Sequence, residues 1–295
     1  MSITTEQREQ VVTKAIREIS HIATLPEVTV QIIQMVEDPK STASDLHEVI
    51  SGDPALSSRI LKVVNSSFYG LPGQIASINR AIVLLGLNAV KNIAIAASLS
   101  KLFRGGDLTP RFSAKDLWEH SNATAAASKI IADTLKMGLS DEAFLAGLMH
   151  DIGIMVEMQA DREKLIEVIE SLGINAAGVP LEDMLETEER VFGANHCNFG
   201  EGLCKKWKFP RCLELVTAFH HNPMSADRDS RTLPAVVYLA DHLVTELGEK
   251  PYRLDLQTLE IDEGVLEVLK LTTESLAGLK ERLAESADEV ATMLD

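Results

Sequence analysis

Residues 140–158 read SDEAFLAGLMHDIGIMVEM, and this stretch decides the fold class. Ser140 and Asp141 are helix-start signals, and the long apolar run behind them shows no strict alternation, so it reads as a buried helix rather than a strand. At its centre sits the pair His150-Asp151. Imidazole nitrogen and carboxylate oxygen together suit a divalent transition metal. One carboxylate can bridge two ions while the adjacent imidazole caps one of them.

Working outward, the neighbouring segments are helical as well. A helix is predicted over about 114–136 with His120 in it, and shorter ones near 161–172, 181–190, 197–207, 210–220 and 232–246. They carry His196, the pair His220-His221 and Asp241 at or near their ends or middles. Five of the chain's eight histidines thus join Asp151 and Asp241 in one candidate ligand set. Two adjacent residues on a helix point about 100° apart, so His220 and His221 both ligate only if an ion lies between their directions or if two ions are present. Otherwise one of the two is structural.

The first third of the chain has the same character. Val12, Ala15, Ile16 and Ile19 mark one helical face, and Leu25-Pro26 restarts the chain into a helix that ends at Asp38-Pro39. Ser44 and Asp45 open the next, Gly52 ends it, and Asp53-Pro54 supply N-cap and first turn for another. Ser77 caps a helix that Gly86 breaks, and an apolar helix follows to Leu102. Arg104-Gly105-Gly106-Asp107 then marks a boundary between subdomains 1–106 and 107–295. A stripe of Leu276, Leu279, Leu283, Ala287, Val290 and Leu294 predicts a helical C-terminal extension. The expected fold is all-α, a multi-helix bundle in two subdomains, with no strand.

Composition narrows the function. A net charge of −16 repels phosphate backbones, and no basic run exceeds Lys205-Lys206, so direct nucleic-acid binding is not expected. The most apolar run, Ile93 to Leu99, is far shorter than a bilayer span. Ser2 to Glu9 is polar and opens no signal peptide. Cys197, Cys204 and Cys212 lack CxxC spacing and read as buried thiols, so a cytoplasmic setting is expected.

Several stretches carry a family resemblance. Ser51-Gly52-Asp53-Pro54-Ala55-Leu56, Val64-Asn65-Ser66-Ser67-Phe68-Tyr69-Gly70, Ile78-Asn79-Arg80-Ala81-Ile82 and Leu85-Gly86 resemble the first half of the HDOD domain, a bacterial signalling module. Trp118-Glu119-His120-Ser121, His150-Asp151-Ile152-Gly153, Gly193-Ala194-Asn195-His196, Trp207-Lys208-Phe209-Pro210 and His220-His221 resemble the helical core of the HD superfamily. The match covers about residues 22–245. It implies that His120, His150, Asp151 and Asp241 hold metal. The related HD-GYP phosphodiesterases add histidines that map onto His196, His220 and His221, and an acidic residue that maps onto Asp116. It also implies iron, manganese or zinc, as one ion or two.

Two departures argue against phosphodiesterase activity. The enzymes carry a lysine directly after the HDIG motif, where this chain has Ile154. Their Gly-Tyr-Pro loop is replaced by Asn222-Pro223-Met224-Ser225-Ala226-Asp227. The resemblance therefore implies a metal-binding regulatory protein that meets other signalling proteins and takes a nucleotide or phosphate ligand. The alternative is a metal-dependent phosphohydrolase in which Lys205 or Arg211 neutralises phosphate. Asp116 also reads as a first-turn residue serving the helix dipole. Trp118 and Trp207 read as packing residues near the site, and His21, His47 and His242 as surface or core fillers.

Overall fold

The computed structural model describes residues 4–19, 25–38, 40–100, 102–103, 106–176, 178–248 and 254–286. His21 and the Ala287, Val290 and Leu294 end of the C-terminal stripe lie outside them.

The described chain is all-α apart from one small hairpin. Its first half comprises α1 (Thr5–Glu18), α2 (Glu27–Glu37), α3 (Ala43–Ser51), α4 (Pro54–Val64), α5 (Ile78–Leu85) and α6 (Leu87–Leu99). The starts follow the capping residues: the side chains of Thr42, Asp53 and Ser77 each accept a backbone N–H of the first turn. Every residue of α6 from Ala89 to Leu99 is buried, so this alanine-rich helix is the axis on which α2, α4 and α5 pack. Lys91 is buried there too, and its ammonium donates to the Met35 carbonyl and to Ser41 Oγ.

The second half opens with strands β1 (Asp107–Thr109) and β2 (Phe112–Ser113), an antiparallel hairpin at the place where only a boundary loop was expected. Pairs this short carry no readable alternation, which is why periodicity misses them. There follow α7 (Ala114–Thr134), α8 (Ser140–Met149), α9 (Ile152–Ala160), α10 (Arg162–Leu172), α11 (Met184–Phe192), α12 (His196–Trp207), α13 (Arg211–Phe219), α14 (Thr232–Leu247), α15 (Glu263–Leu269) and α16 (Thr273–Glu285). α7 runs along α8, α14 lies across both, and α12 packs on α9 and α13. Leu279 and Leu283 of the C-terminal stripe are buried in α16, which contacts α7 and α14.

The stretch 140–158 is not one helix. It is α8 and α9, interrupted at His150 and Asp151, where Asp151 takes φ −96° and ψ 15°. Nothing in an unbroken apolar run signals such a bend, because both halves are buried on nearly all sides. The thiols of Cys197 and Cys204 are buried, but Cys212 is exposed, contrary to expectation, since it falls near the start of α13 on its outer side. Among the described residues, no helix is long and apolar enough to cross a membrane.

Candidate metal centre

All seven sequence-selected residues meet at one place. His120 comes from α7, His150 and Asp151 from the α8–α9 break, and His196 is the first residue of α12. His220 and His221 follow the end of α13, and Asp241 lies within α14. The break aims two consecutive side chains inward, which a continuous helix cannot do. The same holds for His220 and His221: α13 has already ended, and their rings lie 4.2 Å apart, both facing the cluster. The 100° divergence expected of a helix is thereby avoided.

Asp151 is the hub. Its Oδ2 lies 3.3 Å from His150 Nε2 and 4.0 Å from His120 Nε2, whose ring also approaches Asp241 Oδ1 at 3.1 Å. Its Oδ1 lies 3.3 Å from His220 Nε2 and 3.7 Å from His196 Nε2. His196 Nε2 in turn stands 3.0 Å from His221 Nε2. Two donors bonded to one ion at about 2.1 Å lie no more than roughly 4.2 Å apart, and every one of these separations meets that bound.

The outer ring nitrogens are anchored away from the centre. His150 Nδ1 meets the Gly147 carbonyl at 2.7 Å, and His220 Nδ1 meets the Val216 carbonyl at 3.2 Å. His196 Nδ1 lies 2.9 Å from both oxygens of Glu188, which also accepts the His196 backbone N–H. Anchoring Nδ1 fixes ring orientation and presents Nε2 as a ligand atom, the outer arrangement typical of metal-bound histidine. Among the described residues, His150 Nε2, His220 Nε2, both oxygens of Asp151 and Asp241 Oδ1 have no hydrogen-bond partner, although buried polar atoms are almost always paired. A metal ion is what this donor set fits.

Three participants were not legible in the sequence. Asp255 brings Oδ2 to 3.5 Å from His221 Nε2, and it can join Asp151, His196 and His221 around an ion. It sits outside any helix, in a segment without periodicity, and its one signal is an acid between Leu254 and Leu256. Glu188 resembles any acid of a polar helix, yet it is fully buried. Cys197, read as an inert thiol, falls within reach of His196, His220 and His221. Its thiol is pushed up by burial, against the pull of His196.

The electrostatics are those of a closed polar cluster. Burial opposes charge on Asp151, yet the His150 charge beside it, with the close approach of the His220 and His196 rings, holds its carboxyl well below the usual carboxylate range. Burial alone would lower His150, but the Asp151 charge beside it outweighs this and pushes it up to about 9. Among the described residues, the ion pairs of Asp151, Asp241 and Asp255 are all with histidines.

The remaining sequence candidates lie elsewhere. Asp116 is the N3 residue of α7 and forms a reciprocal cap with Ser113, the dipole-serving role. Lys205 is paired with Glu201 at 2.7 Å and Arg211 with Glu214 at 2.7 Å. Trp118 packs on Phe103, and Trp207 packs on Phe209 at the far end of α12 from His196. His242 is buried against the Tyr238 ring, 4.0 Å away.

Comparison with known proteins agrees with this fold. A protein described as an HDOD domain protein with unknown function, from Geobacter sulfurreducens, superposes with a TM-score of 0.79 at 22% identity, covering 99% of this chain and 98% of that one. A candidate phosphohydrolase from Shewanella amazonensis gives 0.75 at 22% identity, covering 97% and 98%. An uncharacterized protein of Treponema pallidum is 28% identical over 236 residues, which is 79% of this chain but 44% of that protein. The chain therefore spans less than half the length of that curated relative. The family model of the HDOD domain matches residues 22–223, a stretch that runs from before α2 to beyond His221. The chain belongs to the HDOD domain family.

Proposed function

We propose that this chain is a cytoplasmic, metal-binding regulatory protein of signal transduction without phosphodiesterase activity. Two divalent ions, iron, manganese or zinc, would share Asp151: one held with His120, His150 and Asp241, the other with His196, His220 and His221, with Asp255 beside them. Residues 1–106 and 107–295 act as two subdomains, and basic signalling proteins dock on the acidic surface.

The observation that carries this reading is closure. His150, Asp151 and His196 have no exposed surface, His120, His220 and Asp241 have 5% or less, and His221 alone of the seven is only partly buried, its side chain 10% exposed. Structural metal sites are closed, whereas catalytic ones keep an open position. Ile154 is also fully buried, in the place where the resemblance calls for a phosphate-facing lysine. Lys205 and Arg211 are engaged with Glu201 and Glu214 and supply no substitute. Such ions would tie together six helices, α7, α8, α9, α12, α13 and α14, because only the folded chain presents the assembled ligands.

A second reading, metal-dependent phosphohydrolase, draws on the way Asp151 divides its two oxygens between two sets of histidines and on the description of the Shewanella protein. Bound ions would supply Lewis acidity and a water acidified to near pKa 7. Elemental analysis of the purified protein, with incubation against bis(p-nitrophenyl) phosphate and cyclic di-GMP, separates the two. Bound metal without turnover is expected; turnover that Asp151→Ala abolishes would establish the hydrolase.

A further inference from the structure

The positive charges absent from the metal centre gather around a different cavity. A groove of about 620 Å³ opens between α1 and α12. Arg8, Arg17, Lys205 and Lys206 line it, against Glu9 and Glu201, so a chain of net charge −16 presents an excess of two positive charges here. Arg8 is held by Glu189 and Lys205 by Glu201. Arg17 and Lys206 are exposed and enter no ion pair among the described residues.

The floor is apolar and tightly packed. Val12 and Ile16 of α1 form it, and α1 presses directly on the backbone of α12 at Gly202. A Cβ at that position would lie 2.5 Å from Val12 Cγ1 and 2.9 Å from Ile16 Cδ1, so only glycine permits the approach. The groove is separate from the metal centre. His196 opens α12 and Lys206 lies in its last turn, roughly 15 Å further along the helix axis.

We propose that this groove binds a phosphorylated small molecule of nucleotide size. Arg17 and Lys206 take the phosphate, and Val12 and Ile16 receive the apolar part of the ligand. The volume lies inside the roughly 300–1,000 Å³ of ordinary ligand pockets, and a concave site of this size suits a small molecule better than a macromolecular surface. Ammonium and guanidinium together hold a phosphate with charge-assisted hydrogen bonds.

Calorimetric titration of the full chain with ADP, GDP and inorganic phosphate tests this. At least one nucleotide is expected to bind saturably and more tightly than phosphate alone. The charge-reversed double variant Arg17→Glu, Lys206→Glu is expected to weaken that binding by at least about tenfold. The charge-keeping variant Arg17→Lys, Lys206→Arg retains it, and both variants melt as the parent does. Binding that persists in Asp151→Ala assigns the ligand to the groove and leaves the metal reading untouched. Absence of nucleotide binding at about 1 mM, equal binding by the charge-reversed variant, or loss of binding in Asp151→Ala would each overturn the proposal.

Discussion

Glu188 grips His196 twice, with both carboxylate oxygens 2.9 Å from Nδ1 and one of them also 2.9 Å from the backbone N–H. The acid therefore sets both the start of α12 and the tilt of the imidazole. Loss of such an outer partner typically costs about 10–100-fold in metal affinity. Glu188→Gln, which keeps volume and one acceptor, is expected to fall in this range by competition against a chromophoric chelator. Unchanged affinity would reduce Glu188 to a helix cap.

The division of Asp151 predicts stoichiometry. Asp151→Asn alters the carboxylate that lies between both histidine groups and is expected to yield protein with no retained metal. Asp241→Asn touches only the His120 side and is expected to leave one ion per chain. Mass-spectrometric elemental analysis reads the ratio; equal metal in the two variants would contradict a shared Asp151.

Chelation is expected to lower the melting temperature. An ion bound at about a thousand times its dissociation constant contributes roughly 4 kcal/mol, and about 2–4 °C accompanies each kcal/mol in a domain of this size. A loss of about 8–16 °C by calorimetry in EDTA follows. His150→Ala in metal-replete buffer is expected to approach the chelated value, and a melting temperature indifferent to both changes would defeat the structural role.

Gly153 has no room for a side chain. A Cβ there would sit 1.8 Å from the His196 carbonyl oxygen and 2.6 Å from its carbon. Gly153→Ala must push α9 from α12 and drag His196 from the cluster. Overpacking costs about 1–3 kcal/mol and more against rigid backbone, so at least about 3 kcal/mol is expected in urea unfolding, with metal affinity lowered as well. Normal stability of the variant would mean that the helices are free to separate.

Glu157 predicts a pH dependence. Burial, then the nearby Glu188 charge, holds its carboxyl well above its ordinary 4.5. The folded chain thus keeps a proton that the unfolded chain releases. This contribution is complete below 4.5 and is lost as pH rises toward and through the raised folded value. Glu157→Gln is always neutral and is expected to gain stability relative to the parent as pH rises above 4.5. Parallel stability curves for the two proteins would show that the carboxyl ionises freely.

How much of this was legible follows from what each residue leaves in a sequence. His120, His150, His196, His220 and His221 stand out because histidine is otherwise scarce, and capping signals at Asp53 and Ser77 mark helix starts that the structure keeps. The bend at His150-Asp151 was hidden because its flanks are apolar on every side. Asp255 and Glu188 were hidden because acids are common and only burial distinguishes these two. The β1–β2 hairpin was too short to show a period.

The donors of the cluster run from His120 to Asp255, so the first and last are separated by 135 positions of chain. Contacts of such high sequence separation form late, since each closes a long loop. A nascent chain emerging from the ribosome acquires its final carboxylate only after α7 to α14 have been synthesised. Were ions held as proposed, their full complement would be out of reach of any chain not yet extended through Asp255.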